Sequence, residues 1–96
     1  MGIDMGTDMD RTVTVRQGSQ PRFNGVRVGI QRVGEHQGDR KARLLIRDAV
    51  SGKRVDVVEG GSEDLLGAGT LTLDQVHLSE AGGRGGVTLT FRAPGA

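Results

Sequence analysis

Two histidines and four serines are the side chains of this chain best suited to acid–base or nucleophilic catalysis. His36 falls in a predicted turn and His77 at the end of a predicted strand, and neither lies in a recognisable catalytic motif. No serine has the Gly-x-Ser-x-Gly context of a hydrolase. All four are predicted in turns, where serine is common: Ser19, Ser51, Ser62 and Ser79. Because the chain also lacks cysteine, we expect no catalytic residue and no enzyme activity.

Metal and cofactor sites are disfavoured by residue type and spacing. Zinc needs three or four ligands, and two histidines without a clustered third ligand do not supply them. Asp4, Asp8 and Asp10 lack the glycine and the distal glutamate of a calcium loop. The glycine-rich run 82–86 does not continue as Gly-Lys-Ser/Thr, as a phosphate-binding loop would, and it indicates a hairpin loop. The sequence therefore predicts no metal and no cofactor.

The arginines carry a stronger signal, because charge is unevenly distributed along the chain. Residues 11–47 contain nine basic and two acidic residues, whereas residues 48–96 contain four basic and seven acidic ones. Residues 1–10 add three aspartates, and the net charge of +1 conceals the split. Such asymmetry suggests an anionic partner or self-association. The alternatives are a coding bias towards arginine and a face that is merely solvated.

Alternation of apolar and polar residues predicts that most of the chain forms β-strands. Val26, Val28 and Ile30 alternate with polar residues or glycine, and the pattern recurs around residues 13–15, 42–46, 55–57, 71–73 and 87–91. We expect one all-β domain over residues 11–93, preceded by a disordered acidic tail over 1–10. Six or seven antiparallel strands would form a small barrel or sandwich. Residues 62–67 are compatible with a helical turn, a loop or a short edge strand.

The two halves of the chain resemble each other when the sequence is shifted by 43 residues without gaps. In both halves the apolar spacing changes from two to three, after Ile30 and after Leu73, which predicts a β-bulge in each. We infer two pseudo-symmetric three-stranded units, about 11–48 and 53–92. The alternative is that two β-meanders share a common pattern. The shift matches Val15 with Val58, Phe23 with Leu66, Val28 with Leu71, Ile30 with Leu73, Leu44 with Val87, and Ile46 with Leu89.

The same alternation places part of the basic half on one outer sheet face. If Val26, Val28 and Ile30 point inward, the arginines between apolar positions point outward. Leu45 is then an apolar residue ringed by charge, as in the core of a protein interface. Arg16 belongs to this face only if its strand is adjacent. The predicted partner-binding residues are Arg16, Arg27, Arg43, Leu45 and Arg47.

The second half of the chain contains segments that resemble those of other proteins. Val58–Ser62, Gly69–Val76 and Val87–Phe91 resemble segments of small uncharacterised all-β proteins from GC-rich actinomycetes. The resemblance covers about half the chain, and it implies a cytoplasmic β-domain without assigning any functional residue.

We therefore expect a non-catalytic protein-interaction or assembly module in the cytoplasm, with a protein partner or self-association through the arginine-rich face. The alternative is nucleic acid or another polyanion bound by the same arginines, and a more remote one is a small-molecule pocket at a barrel mouth. The first ten residues lack the features of a secretory signal, and no apolar run is long enough to cross a bilayer, so we expect no membrane contact.

Overall fold

The computed structural model describes residues 10–79 and 84–94, and all regular structure in these ranges is β-strand. The all-β prediction is therefore confirmed. No helix able to span a bilayer occurs in these ranges. The eight strands are β1 (Asp10–Arg16), β2 (Arg22–Phe23), β3 (Val26–His36), β4 (Asp39–Arg47), β5 (Gly52–Val58), β6 (Ser62–Asp64), β7 (Thr70–His77) and β8 (Gly86–Arg92).

The structure has more strands than the six or seven predicted. The additional ones are β2 and β6, whose two and three residues are too few to show alternation. Residues 62–64 thus form a short edge strand and not a helical turn. Most of the predicted acidic tail lies outside the described residues, but Asp10 already belongs to β1. Part of the predicted 82–86 loop is likewise outside them.

The strands form two four-stranded antiparallel sheets. Sheet I has the order β1-β8-β7-β6, and sheet II has the order β2-β3-β4-β5. Each sheet consists of three strands from one half of the chain and the first strand of the other half. Both sheets keep two edges, and the described strands form no closed barrel.

Both sheets contribute to a single hydrophobic core. The inward residues of β3 and β4 join those of β7 and β8 in one buried cluster, as alternation requires of sheets with one wet face. Phe23 of sheet II and Phe91 of sheet I stack with ring centroids 5.4 Å apart. No polar or charged side chain is buried in the described part of the chain. The described polar side chains therefore lie on the outer faces and at the edges of the sheets.

Both predicted bulges are present. The pairing of β3 with β4 shifts register between Ile30 and Arg32. The pairing of β7 with β8 shifts between Leu73 and Gln75. In each case an extra residue restores the following apolar side chain to the core side, as the change in spacing requires.

The strand pairing gives a second way to match positions of the two halves, independent of the ungapped sequence comparison. β3 matches β7 at the offset of 43 residues used in the sequence comparison. The other strands match at different offsets. Matching the ladders places Phe23 with Leu65, and both side chains are almost fully buried. It also matches Val15 with Val57, Leu44 with Leu89, and Ile46 with Phe91. The ungapped alignment misplaced these pairs, because the connections between strands differ in length.

Two cations reach from one sheet to the edge of the other. On one side Lys53 Nζ of β5 lies 2.8 Å from Glu63 Oε2 of β6. On the opposite side the Arg11 guanidinium of β1 lies 5.0 Å from the Phe23 ring centroid, and its Nη2 donates to the Arg22 carbonyl at 3.2 Å. These contacts connect the edges of the two sheets.

Candidate binding groove

A groove of about 450 Å³ lies on the outer face of sheet II. We call it the arginine groove, and we define it by Arg27, Arg47 and Arg84, by Leu45, and by the amides of Gln20 and Gln31. None of the described side chains that line it is acidic.

The groove exists because glycine occupies an outward-facing position of β3. Gly29 lies directly opposite Leu45 of β4. A Cβ atom at Gly29 would be 3.8 Å from the Leu45 Cβ and 3.9 Å from the Gln20 Cγ, so any larger side chain would fill the space. The half-buried Leu45 therefore lies at the floor of the groove.

One wall is formed by residues 17–20, which begin with a turn at Gln17 and Gly18 and lie beside β3. Ile30 holds it at two points: its carbonyl accepts from Gly18 N–H at 2.7 Å, and its N–H donates to the Ser19 carbonyl at 2.9 Å. Gln17 adds a third bond, from Val33 N–H to its Oε1 at 3.2 Å. The wall is thus fixed to the sheet by main-chain bonds and does not depend on a ligand for its position.

Positive charge is concentrated at this groove without internal compensation. Arg27 and Arg47 lie directly opposite each other across the β3–β4 ladder, an arrangement that is destabilising for like charges. Arg84 approaches from the start of β8: a Cβ atom at Gly18 would be 3.2 Å from its Nη1. No carboxylate in the described ranges lies within ion-pair distance of these arginines. The groove is therefore suited to an anion.

A smaller adjoining groove extends the basic surface. It shares Arg27 and Arg47 and adds Arg22 and one acid, Asp48. The Asp48 Oδ1 accepts hydrogen bonds from Val50 N–H at 2.8 Å and Ser51 N–H at 2.7 Å. Both hydrogen bonds lower the pKa of Asp48, and the bond from Ser51 N–H has the larger effect. The carboxylate holds its own turn and forms no ion pair with an arginine in the described ranges.

No family model, curated protein or solved structure matches this chain. The resemblance to small actinomycete proteins therefore stays a prediction, and no site residue comes from a relative.

Of the five predicted contact residues, three line the arginine groove: Arg27, Leu45 and Arg47. Alternation along single strands was sufficient to find them. The structure adds Arg84, which lies within the glycine-rich run 82–86 and belongs to no periodic pattern. Gly29 was a usable signal that sequence reasoning overlooked, since a glycine at an outward position between Arg27 and Gln31 leaves a gap in the sheet surface.

Arg43 is on the same sheet face but outside the groove, and it already has a partner. Its Nε donates to Asp56 Oδ1 at 2.9 Å, and its Nη2 donates to Oδ2 at 3.3 Å. This pair raises the pKa of Arg43 and lowers that of Asp56, in both cases chiefly through the side-chain hydrogen bond. Asp56 lies opposite Arg43 in the β4–β5 ladder. Arg43 is therefore already paired within the sheet, and its role in partner binding stays a prediction.

Arg16 is separated from the other predicted residues by the sheet arrangement. It ends β1, which pairs with β8 in sheet I, whereas Arg27, Arg43 and Arg47 belong to sheet II. The condition that its strand be adjacent is therefore not met.

The outer face of sheet I differs chemically from the arginine groove. It carries pairs of hydroxyl groups, with Thr12 and Thr90 Oγ1 atoms 3.0 Å apart and those of Thr14 and Thr88 2.9 Å apart. His77 Nε2 lies 2.8 Å from the Thr88 Oγ1. No group of three potential metal ligands occurs within the described ranges.

Proposed function

We propose that the protein is a non-catalytic interaction module that binds an acidic segment of a protein partner in the arginine groove. The observation that carries this proposal is the placement of Arg27, Arg47 and Arg84 around the half-buried Leu45 with no acidic side chain among them. Guanidinium groups bind carboxylates bidentately, and an apolar residue ringed by charge is typical of an interface core. The two sheets on one core support a sandwich as the scaffold.

The partner's chemistry follows from that of the groove. Carboxylates would pair with the arginines and relieve the repulsion between Arg27 and Arg47. An apolar side chain between the carboxylates would contact Leu45. The glutamine amides at the rim are suited to hydrogen bonds with an extended peptide backbone.

Nucleic acid is the alternative ligand for the same arginines. Single-stranded nucleic acid is usually held by stacking on aromatic side chains. The chain has only two aromatic residues, Phe23 and Phe91, and both are buried in the core. This arrangement favours the acidic protein segment.

Fluorescence anisotropy with a labelled aspartate-rich peptide that contains a central leucine would test the proposal. We expect binding that weakens with added salt, because screening acts on exposed charges. Arg27→Gln and Arg47→Gln would each reduce affinity about tenfold, as expected for loss of a charge-assisted hydrogen bond. Arg54→Gln is the matched control: it removes the same charge from the outer face of β5, outside the groove.

Three outcomes would contradict the proposal. The peptide shows no saturable binding, the Arg54 variant is weakened as much as the groove variants, or a DNA duplex or single strand binds with a steep salt dependence while the peptide does not. A peptide with asparagine in place of aspartate separates carboxylate recognition from contact with leucine alone.

A further inference from the structure

The outer edge of β1 presents backbone groups that no other described strand uses. The Gln17 N–H donates to the Gly85 carbonyl at 2.9 Å, just beyond the opposed pair Arg16 and Gly86. Because bonded and non-bonded pairs alternate in an antiparallel ladder, the odd-numbered residues of β1 bond to β8. Asp10, Thr12, Thr14 and Arg16 therefore direct their N–H and C=O groups away from β8, and of these the Arg16 carbonyl already accepts a hydrogen bond from Ser19 N–H at 3.0 Å.

The threonine contacts support this assignment independently. Non-bonded pairs in an antiparallel ladder bring their side chains closer together than bonded pairs do. Thr12 with Thr90 and Thr14 with Thr88 are such pairs, and their hydroxyl oxygens are 3.0 Å and 2.9 Å apart. The even-numbered residues are thus the ones that can bond to a strand added at this edge.

The charges at the two ends of β1, Asp10 and Arg16, are complementary about its centre, whereas Arg11 is directed to Phe23 of sheet II. Asp10 and Arg16 are equally distant from Val13, and both are exposed. No described side chain forms an ion pair with either. An antiparallel second copy centred on Val13 would place Asp10 opposite Arg16 of that copy, and this would occur twice because of the twofold axis.

We propose that two copies of the chain form a dimer by antiparallel pairing of β1 about a twofold axis at Val13. Thr12 then pairs with Thr14 of the second copy and Arg16 with Asp10, so the outward N–H groups of each strand face carbonyls of the other copy, and the Arg16 carbonyl is shared with Ser19 N–H of its own chain. The half-buried Val13 packs against Val13 of the second copy. The two copies of sheet I become one continuous sheet, and the dimer does not depend on a ligand in the arginine groove.

The other long edge strand, β5, is less suited to this role. It has a similar charge symmetry, with Arg54 and Asp56 on either side of Val55. However, Asp56 is already bound to Arg43 through two hydrogen bonds. Lys53 of β5 reaches across to Glu63 and Arg11 of β1 reaches across to Phe23, so inward-directed charges do not distinguish the two edges. The existing bonds of Asp56 to Arg43 therefore favour β1 over β5.

Amide hydrogen exchange at two protein concentrations tests the dimer directly, with mass followed by sedimentation equilibrium. The mass is expected to rise to that of a dimer with concentration. The amides of Thr12 and Thr14 would become protected in parallel, whereas the outward amides of β5 would not. A monomer at the highest concentration, or a dimer in which the Thr12 and Thr14 amides exchange at the monomer rate, would overturn the proposal.

A charge exchange gives a second test that leaves the backbone intact. Asp10→Arg alone and Arg16→Asp alone each convert two attractive contacts into repulsive ones, and we expect the dimer dissociation constant to rise about tenfold. The double variant restores both contacts in reversed order and would recover the original constant. Failure of the double variant to dimerise better than the two single variants would contradict the proposed register.

Proline substitution blocks the edge itself. Thr14→Pro removes an N–H that β8 does not use, and proline is tolerated at such positions of edge strands. We expect it to abolish dimerisation, whereas the matched control Arg54→Pro on the other edge leaves the dimer intact. Equal loss of the dimer in both variants would contradict a specific β1 interface. If either proline variant fails to fold, the charge-exchange variants decide whether β1 forms the interface.

Discussion

Replacement of Arg27 by glutamine is expected to stabilise the fold while weakening ligand binding. Arg27 and Arg47 are directly opposed on the outer face of sheet II. At the corresponding place in sheet I the pair is Thr70 and Arg92, so the second half of the chain has only one cation there. Arg27→Gln keeps much of the methylene stem and removes the like charge.

The size of the gain follows from the geometry of the pair. Directly opposed side chains in a sheet contribute roughly 0.2–1 kcal/mol, with like charges unfavourable. Relief of this repulsion predicts a rise of about 0.5 kcal/mol in the free energy of unfolding. For a domain of this size that corresponds to an increase in Tm of about 2–4 °C. Arg54→Gln is not expected to gain stability, because Arg54 lies opposite Leu45 and not opposite another cation.

Thermal unfolding by circular dichroism at low and high salt separates this effect from packing. The screening length falls from about 30 Å at 0.01 M to about 3 Å at 1 M ionic strength, so the gain is expected to vanish at high salt. A loss of stability in Arg27→Gln at low salt, or a gain that persists at 1 M salt, would refute the repulsion argument. Higher stability together with weaker peptide binding would identify Arg27 as a residue that serves binding at the expense of the fold.

Three further substitutions test the fold. Leu65→Ala is expected to lower the free energy of unfolding by about 2–5 kcal/mol, since Leu65 is fully buried. Leu66→Ala, at the neighbouring half-buried residue, is expected to lower it less. Equal losses of unfolding free energy in urea would contradict the ladder correspondence. Gly69→Ala is expected to cost at least about 1–3 kcal/mol, because a Cβ there meets backbone and ring atoms at a φ of +150°, whereas Gly34→Ala has open space and serves as the control. Asp48 has a folded-state pKa below its ordinary value of 3.8, so its stabilising effect is present above that pH and is lost as the pH falls through the lower folded-state value. Acid unfolding monitored by circular dichroism is expected to show a smaller loss of stability in Asp48→Asn, and identical profiles would argue against this contribution.

Features set by neighbouring residues along the chain were predictable, whereas those set by strand neighbours were not. The bulge after Ile30 follows from the spacing of apolar residues within one strand, and the outward direction of Arg27 and Arg47 follows from the same alternation. The position of Arg16 depends on which strand lies beside β1, and its partner β8 comes from the far end of the chain. Local periodicity contains no such information.

The partner of Arg43 shows a second limit of prediction from sequence alone. Whether Asp56 or Arg54 faces Arg43 depends on the register of β4 against β5, and a shift of two residues would place Arg54 opposite Arg43. The turn at 48–51 sets this register through hydrogen bonds from Val50 and Ser51 N–H to the Asp48 carboxylate, which only the structure shows. The groove itself required knowledge of the wall at residues 17–20, which has no regular alternation.

The exchange of first strands between the two sheets makes the connectivity of the fold almost circular. Asp10 at the start of β1 lies opposite Arg92 at the end of β8, so the described chain begins and ends on adjacent strands. β4 and β5 have the same antiparallel relation and are already joined by a turn. If a short link joined β8 to β1 and the chain were opened between β4 and β5, the permuted chain would pass through the sheets in the same pattern with the roles of sheets I and II exchanged. The described strands therefore have two topologically equivalent places at which their order can begin.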